Sequence, residues 1–410
     1  MTIDKQLKKY AKLIVEAGLN VQKGQELFID ASVDAAVLVR LVTKAAYEVG
    51  AKEVIVRYND GIVSRMKYEY GDKELFENVP TWLSDMYNSY ADNKAAFLTI
   101  LSDDPEVYKG VDASKMATWS ANLNKALKPF RDSLDMAINT WCIVGASSVK
   151  WANKVFPDMS DDEAVEALWN AIFKTVKVDQ EDPMEAWQQH RRSFERRVKH
   201  INSLGLETLT YTNAAGTDIT IGLTDKYEFA GGGSYTVGDL YFFPNMPTEE
   251  IFSTPHKDKA DGIVYSALPL NYNGNIIDEF FLEFKDGVVI NFGAKQGEQI
   301  LKELIETDEG SHHLGEVALV PYDSPISNMN ILFYNTLFDE NAVCHFAIGK
   351  GFPECYTGGL EMTKEQLLEK GINDSLTHVD FMIGTEDLKI VGKTKDGKEV
   401  EIFVDGNFAF

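Results

Sequence analysis

Between Glu26 and Ser147 the chain alternates short runs of β-branched and aromatic residues with helix-length amphipathic stretches, and no other feature constrains its fold as strongly. The strand-like runs are ELFIDA from Glu26, EVIVRY from Glu53, AAFLTILSD from Ala95 and WCIVGAS from Trp141. Between them lie a helix through DAAVLVRLVTKAAYEVG, closed by Gly50, a second around ELFENVPTWLSDMYNSYADN, and one long helix through KMATWSANLNKALKPFRDSLDMAINT. Apolar strands separated by helical crossovers form a parallel sheet covered on both faces. No glycine-rich phosphate loop, G-x-G-x-x-G or G-x-x-x-x-G-K-[ST], follows any of these strands, so the layout does not by itself point to a nucleotide. Two further helices, one with Ser160 as candidate N-cap and one through PMEAWQQHRRSFERRVKHINSL, complete this half.

Beyond Gly205 the texture changes to short strands and tight turns. The pairs Asn273-Gly274, Asp286-Gly287, Asp396-Gly397 and Asp405-Gly406 are hairpin signals, because both residues tolerate positive φ. The chain therefore reads as an α/β domain over residues 1–205, with a parallel sheet flanked by helices, followed by a mostly antiparallel β domain over 206–410.

With 40 basic against 64 acidic side chains the net charge is −24. Such a surface disfavours nucleic acid and anionic membrane, which attract basic patches, and accommodates cationic ligands. The cysteines, Cys142, Cys344 and Cys355, show no metal-type spacing and do not pair evenly. Together with an N-terminus that lacks an export-type apolar core, they predict a reduced, cytoplasmic protein. No run approaches the roughly 20 apolar residues of a membrane span.

Candidate chemistry lies in the second half. In THVDFMIG, Thr377 to Gly384, an apolar strand carries two polar residues, His378 and Asp380. Residues i and i+2 of a strand share a face, roughly 7 Å apart, so these two project together while Val379 and Phe381 face the opposite way. An isolated pair of this kind is ordinarily an ion pair. Here, however, His345 in VCHFAIG repeats the pattern of a polar residue in an apolar strand, Glu316 opens the run in HHLGEVALV, and Glu249 and Glu250 do the same in NMPTEEIFSTP. His190 and His200 lie in a helix dense in Arg and Lys and read as solvated. Converging buried carboxylates repel one another unless cations lie between them. Oxygen-rich sites with one or two histidines suit two-metal hydrolases that use Zn, Co, Mn or Mg.

The stretches NMPTEEIFSTP, GSHHLGEVALVP, CHFAIG and LTHVDFMIG, in this order, together with GLNVQKGQELFIDA and KADGIVYSALPLNYNG, resemble the M29 metallo-aminopeptidases over nearly the whole chain. The resemblance implies a two-domain homodimer that removes N-terminal residues from short peptides with two divalent ions held in the C-terminal domain. Residue by residue, it implies Glu250 as the first carboxylate ligand (with Glu249 adjacent), then Glu316, His345, His378 and Asp380. Glu316 is the candidate to accept the proton of the attacking water. One position departs from the pattern: the family carries a tyrosine seven residues after its first histidine ligand, and this chain has Phe352 there, with Tyr356 further along as a substitute if the loop bends back. That loss implies a slower enzyme. It leaves open a weak or inactive member that binds only peptide or metal, and another two-metal hydrolase as an alternative; none of the four motifs contains the Arg that a phosphate substrate calls for.

Overall fold

A computed structural model describes residues 2–272 and 275–410; the Asn273-Gly274 turn lies outside them. The chain divides into two compact units, residues 1–189 with 233–247, and residues 190–232 with 248–410. The sequence boundary near 205 thus falls within the second unit. Phe194 and Ile201, on the helix Pro183–Ser203, are buried in that unit's core, which helical periodicity alone does not reveal.

The first unit is built on four parallel strands, β1 (Glu26–Ser32), β2 (Glu53–Asn59), β3 (Ala96–Leu101) and β4 (Trp141–Gly145), in the order β4-β3-β1-β2. A short segment, Asn245–Met246, adds in parallel beside β4. Because β2 and β3 lie on opposite sides of β1, the winding reverses at β1, where Asp30 is in register with both Arg57 and Thr99. Helices α1 (Gly61–Tyr70) and α2 (Thr81–Asp92) lie in the crossover from β2 to β3, and α3 (Ala113–Ala126) in that from β3 to β4. The Asp60 side chain caps α1 by accepting from the amides of Ile62 and Val63.

Two expected helices are broken by proline. The long helix over 115–140 is split into α3 and a second helix, Lys128–Asp135, with Pro129 in its first turn. The stretch 74–93 contains Glu74–Glu77 and then α2, which starts just after Pro80. Proline lacks the amide a helix interior needs and disfavours helical conformation in the residue before it.

In the second unit a nine-stranded antiparallel sheet runs from Leu270–Tyr272 to the C-terminal strand Asn407–Phe408, with Leu206–Thr212 in its interior. Two of its turns are Asp-Gly pairs with positive φ at both residues, 49° and 80° at Asp286-Gly287 and 49° and 69° at Asp405-Gly406, the twist that two-residue hairpins require. A second antiparallel sheet has five strands, β5 (Ala230–Gly231), β6 (Ile251–Ser253), β7 (Leu314–Leu319), β8 (His345–Gly349) and β9 (His378–Met382), in the order β9-β8-β7-β6-β5. Val317, Phe346, Ile348 and Phe381 on one face of this sheet join the unit's core, where Phe346 meets Tyr211 edge-on at 4.9 Å. Among the described residues, no helix is long and apolar enough to cross a membrane.

Candidate metal centre

The five-stranded sheet sorts its residues by parity. Ala347 on β8 is in register with Glu316 on β7 and with Asp380 on β9, while Gly349 is opposite His378 and Met382 opposite His345. Residues directly across a ladder share a face, as do residues two apart along a strand. Glu316, His345, His378 and Asp380 therefore stand on one face, with Val317, Phe346, Val379 and Phe381 on the other. Glu250 precedes β6 by one residue and shares the face of Phe252, which is in register with Ala318 opposite His345. The two smallest side chains in this patch, Ala347 and Gly349, leave room between the larger polar ones. A bulge between Leu314 and Glu316 tilts the Glu316 end of β7 locally, as bulges beside functional sites do.

The side chains converge closely. One ligand-type atom from each of Glu250, Glu316 and His345 lies within 4.8 Å of the others, and the same holds for Glu316, His378 and Asp380, so Glu316 belongs to both groups. His345 Nε2 is 3.1 Å from Glu250 Oε2; His378 Nε2 is 3.1 Å from Glu316 Oε2 and 3.3 Å from Asp380 Oδ1. Each imidazole is oriented from behind. His378 Nδ1 donates to the carbonyl of Lys350 at 2.7 Å, and His345 Nδ1 donates to that of Val343 at 3.3 Å. A carbonyl can only accept, so both Nδ1 atoms carry their hydrogen and both Nε2 atoms face the carboxylates. Metal-bound histidines are held in this way. Asp380 Oδ1 is buried and accepts no hydrogen bond, although His378 lies beside it. A donor set of carboxylates and back-anchored imidazoles with an unsatisfied buried oxygen fits divalent cations.

The electrostatics point the same way. Burial, reinforced by Asp380 and Glu250 against the His378 contact, raises the Glu316 carboxyl to about 7. Burial works against charging the histidines, but Glu250, Asp380 and Glu316 outweigh it, lifting His345 to about 10 and His378 well above its ordinary value. Asp380 is held low because His378 and His345 overcome the effect of burial. Without cations, protons on imidazole and carboxyl groups offset the mutual repulsion of the acids.

One member of the cluster was not legible in the motifs. Glu340 follows the short helix α4 (Thr336–Asp339). Burial and then the fields of Asp380 and Glu250 push its carboxyl well above the usual range, yet it belongs to neither three-residue group. Its local sequence, FDEN, reads as an ordinary acidic turn.

Other expectations meet specific contacts. Glu249 turns away from the cluster: its carboxylate lies 3.6 Å from His190 Nε2, and its amide donates to Asn341 Oδ1 at 2.7 Å. His190 is not solvated; its Nε2 also lies 2.7 Å from the Thr248 carbonyl, and its ring meets Phe194 edge-on, one helical turn away. Phe352 sits beside the centre, its ring 4.8 Å from that of His378 and 5.4 Å from Phe252. Tyr356 does not bend back as a substitute: it is buried, and its hydroxyl donates to Asp225 Oδ1 at 2.9 Å.

Comparison with known proteins agrees with this chemistry. Residues 3–408 match the family described as thermophilic metalloprotease (M29). Aminopeptidase AmpS of Bacillus subtilis is 48% identical over 409 residues, covering 100% of each chain. Aminopeptidase 2 of Geobacillus stearothermophilus is 45% identical, covering 99% of this chain and 98% of its own. The solved structure of wild-type AmpT from Thermus thermophilus superposes with a TM-score of 0.94 at 34% identity, covering 100% of both chains. On sequence, fold and the clustered donor set alike, this chain belongs to the M29 metallopeptidase family.

Proposed function

We propose that this metal-dependent aminopeptidase cleaves the N-terminal residue from short peptides at a centre of two divalent cations. Glu250, Glu316 and His345 would hold one cation and Glu316, His378 and Asp380 the other, with Glu316 shared between them. Divalent cations held there supply Lewis-acid polarisation of the scissile carbonyl and lower the pKa of water near neutrality. Lys350 and Val343 keep the Nε2 lone pairs of His378 and His345 aimed into the centre. Were Glu316 to hold both cations, it would have no oxygen to spare for a proton, and the general-base work expected of it would pass to Glu340. With cations bound nearby to favour its ionised form, the Glu340 carboxylate would take a proton from the attacking water and deliver it to the departing amine. Phe352 contributes no hydroxyl, and backbone amides must do more of the work of stabilising the developing oxyanion.

The observation that carries this reading is the shared membership of Glu316 in two three-donor groups on one sheet face. Its test is to strip the protein with chelator, reload it with Zn, Co, Mn or Mg, and assay aminoacyl chromogenic amides. Two equivalents of cation at full activity are expected; activity that survives complete removal sinks the proposal, and metal uptake without amidase activity favours a binding protein. The same reading includes a homodimer. The exposed apolar side chains Ile62, Val63, Met66 and Tyr70 on α1 are consistent with a covered surface, and a single-chain species in sedimentation argues against it.

A further inference from the structure

The first unit carries a cavity that the proposed peptidase chemistry leaves unused. It has a volume of about 470 Å³, within the range of about 300–1,000 Å³ typical of small-molecule sites. It opens where β1, β2 and β3 end, lined by Asp30, Arg57 and Leu101 among others. This is the carboxyl edge of a parallel sheet at the strand where the winding reverses, the position at which open α/β sheets bind ligands.

The lining contains one cation and one anion without ionic partners. Arg57 is paired: its Nη1 reaches both Asp30 oxygens, at 3.0 and 2.9 Å, and Tyr87 Oη at 3.0 Å. Lys67, by contrast, has no carboxylate within ion-pair distance among the described residues. Its ammonium sits over the Trp119 ring, 3.4 Å from the centroid, and burial lowers its pKa. Asp103 likewise has no hydrogen-bonding or ionic partner among the described residues; burial and the fields of Asp34, Asp30, Asp104 and Asp60 push its carboxyl up. The walls between them are aromatic, with Trp82 and Trp119 both at the cavity. Trp82 is 64% exposed, an unusual amount of open indole surface.

An unpaired ammonium, an unpaired carboxylate and aromatic walls complement a small zwitterion with an apolar body. The surrounding aspartates repel a phosphate or other polyanion, and no glycine-rich loop is present to cradle one. We propose that this cavity binds a free apolar α-amino acid, its carboxylate on Lys67, its ammonium on Asp103 and its side chain against Trp82 and Trp119. The site lies within the first unit and does not depend on the assignment of the metal centre.

The test follows intrinsic tryptophan fluorescence of the metal-loaded protein during titration with L-leucine, which has no fluorescence of its own. A saturable change is expected. Lys67→Met raises the half-saturation concentration at least about tenfold, the scale of one charge-assisted contact, without altering kcat on a leucyl chromogenic amide. L-Leucinol, which lacks the carboxylate and has no amide bond for the peptidase to cleave, binds the unaltered protein as poorly as L-leucine binds the variant. Glu316→Gln, which damages the metal centre, retains the response. Should Lys67→Met fail to fold by circular dichroism, Asp103→Asn with L-leucine against N-acetyl-L-leucine reads the ammonium contact instead. The proposal is overturned if no saturable change occurs, if Lys67→Met or Asp103→Asn binds like the unaltered protein, if leucinol equals leucine, or if Glu316→Gln abolishes the signal and so assigns it to the metal centre.

Discussion

The two charged regions of this chain solve the same problem in different places on a sheet. In the second unit, carboxylates and imidazoles stand on one face of antiparallel strands β7, β8 and β9, over neighbouring cross-strand rows, with an apolar core behind them. In the first, charged groups come from the ends of parallel strands, where Arg57 neutralises Asp30 directly. The face arrangement brings Glu250, Glu316 and Asp380 together beside two imidazoles, and protons or bound cations offset their repulsion. The strand-end arrangement includes its own counter-charge and therefore persists without any ligand. The face arrangement suits bound cations; the strand-end arrangement carries its own counter-charge and leaves a cavity beside it.

That contrast predicts unequal consequences of mutation. Glu316→Gln removes the donor common to both groups and is expected to lower kcat/KM at least roughly 10²–10⁴-fold, together with metal content measured by atomic emission. Glu340→Gln is expected to cost a similar factor in kcat while metal content stays at the unaltered level. If both variants lose metal alike, Glu340 is a ligand and not a proton carrier.

A smaller but still large effect is expected from Ala347→Leu, which inserts a side chain between Glu316 and Asp380 without touching a donor atom. Metal affinity should fall roughly 10–100-fold, the scale of disturbing groups that orient ligands, with the far-ultraviolet circular dichroism unchanged. Retained affinity in a calorimetric titration would mean that the row across β7, β8 and β9 does not set the spacing.

Phe352→Tyr restores a hydroxyl beside His378 and is expected to raise kcat about tenfold, since one well-placed donor is worth about 10²–10³ and the loop was not shaped around it. Unchanged or lower turnover counts against a missing donor as the limitation.

Arg57→Met lies at the weak end for catalysis. It leaves half-buried Asp30 with Tyr87 as its remaining hydrogen-bond partner and should cost roughly 1–3 kcal/mol of stability, read as a lower thermal midpoint, with kcat/KM unaltered. A fall in kcat/KM would show that the two regions are coupled and that the contrast between them is too sharp.

Much of the candidate metal centre is legible in local sequence because strand periodicity is a two-residue rule: His378 and Asp380 must share a face wherever the strand is placed. Polar residues interrupting apolar runs at 316 and 345 are visible for the same reason. Glu249 and Glu250 are not separable in this way, since adjacent residues of a strand end point oppositely and the register of β6 decides which turns inward. Glu340 and His190 were out of reach for another reason: each stands among charged neighbours on a helix or turn, where acidic and basic side chains are ordinary, and only distant segments bury them. The helix breaks at Pro80 and Pro129 were present in the letters and were overridden by an apolar periodicity that continues across both.

The sequence alone determined the parallel α/β half, the hairpin-rich half, the acidic surface and the ligand-type residues, because these follow from periods of two and 3.6, turn chemistry and charge, all local properties. Tertiary structure decided that the helix 183–203 enters the second unit's core, that Glu250 rather than Glu249 faces His345, that Tyr356 is committed to Asp225, and that Lys67 and Asp103 line one cavity without ionic partners among the described residues. Each of these depends on which distant strands and helices lie side by side, and proximity between segments far apart in the chain is not encoded in any one of them.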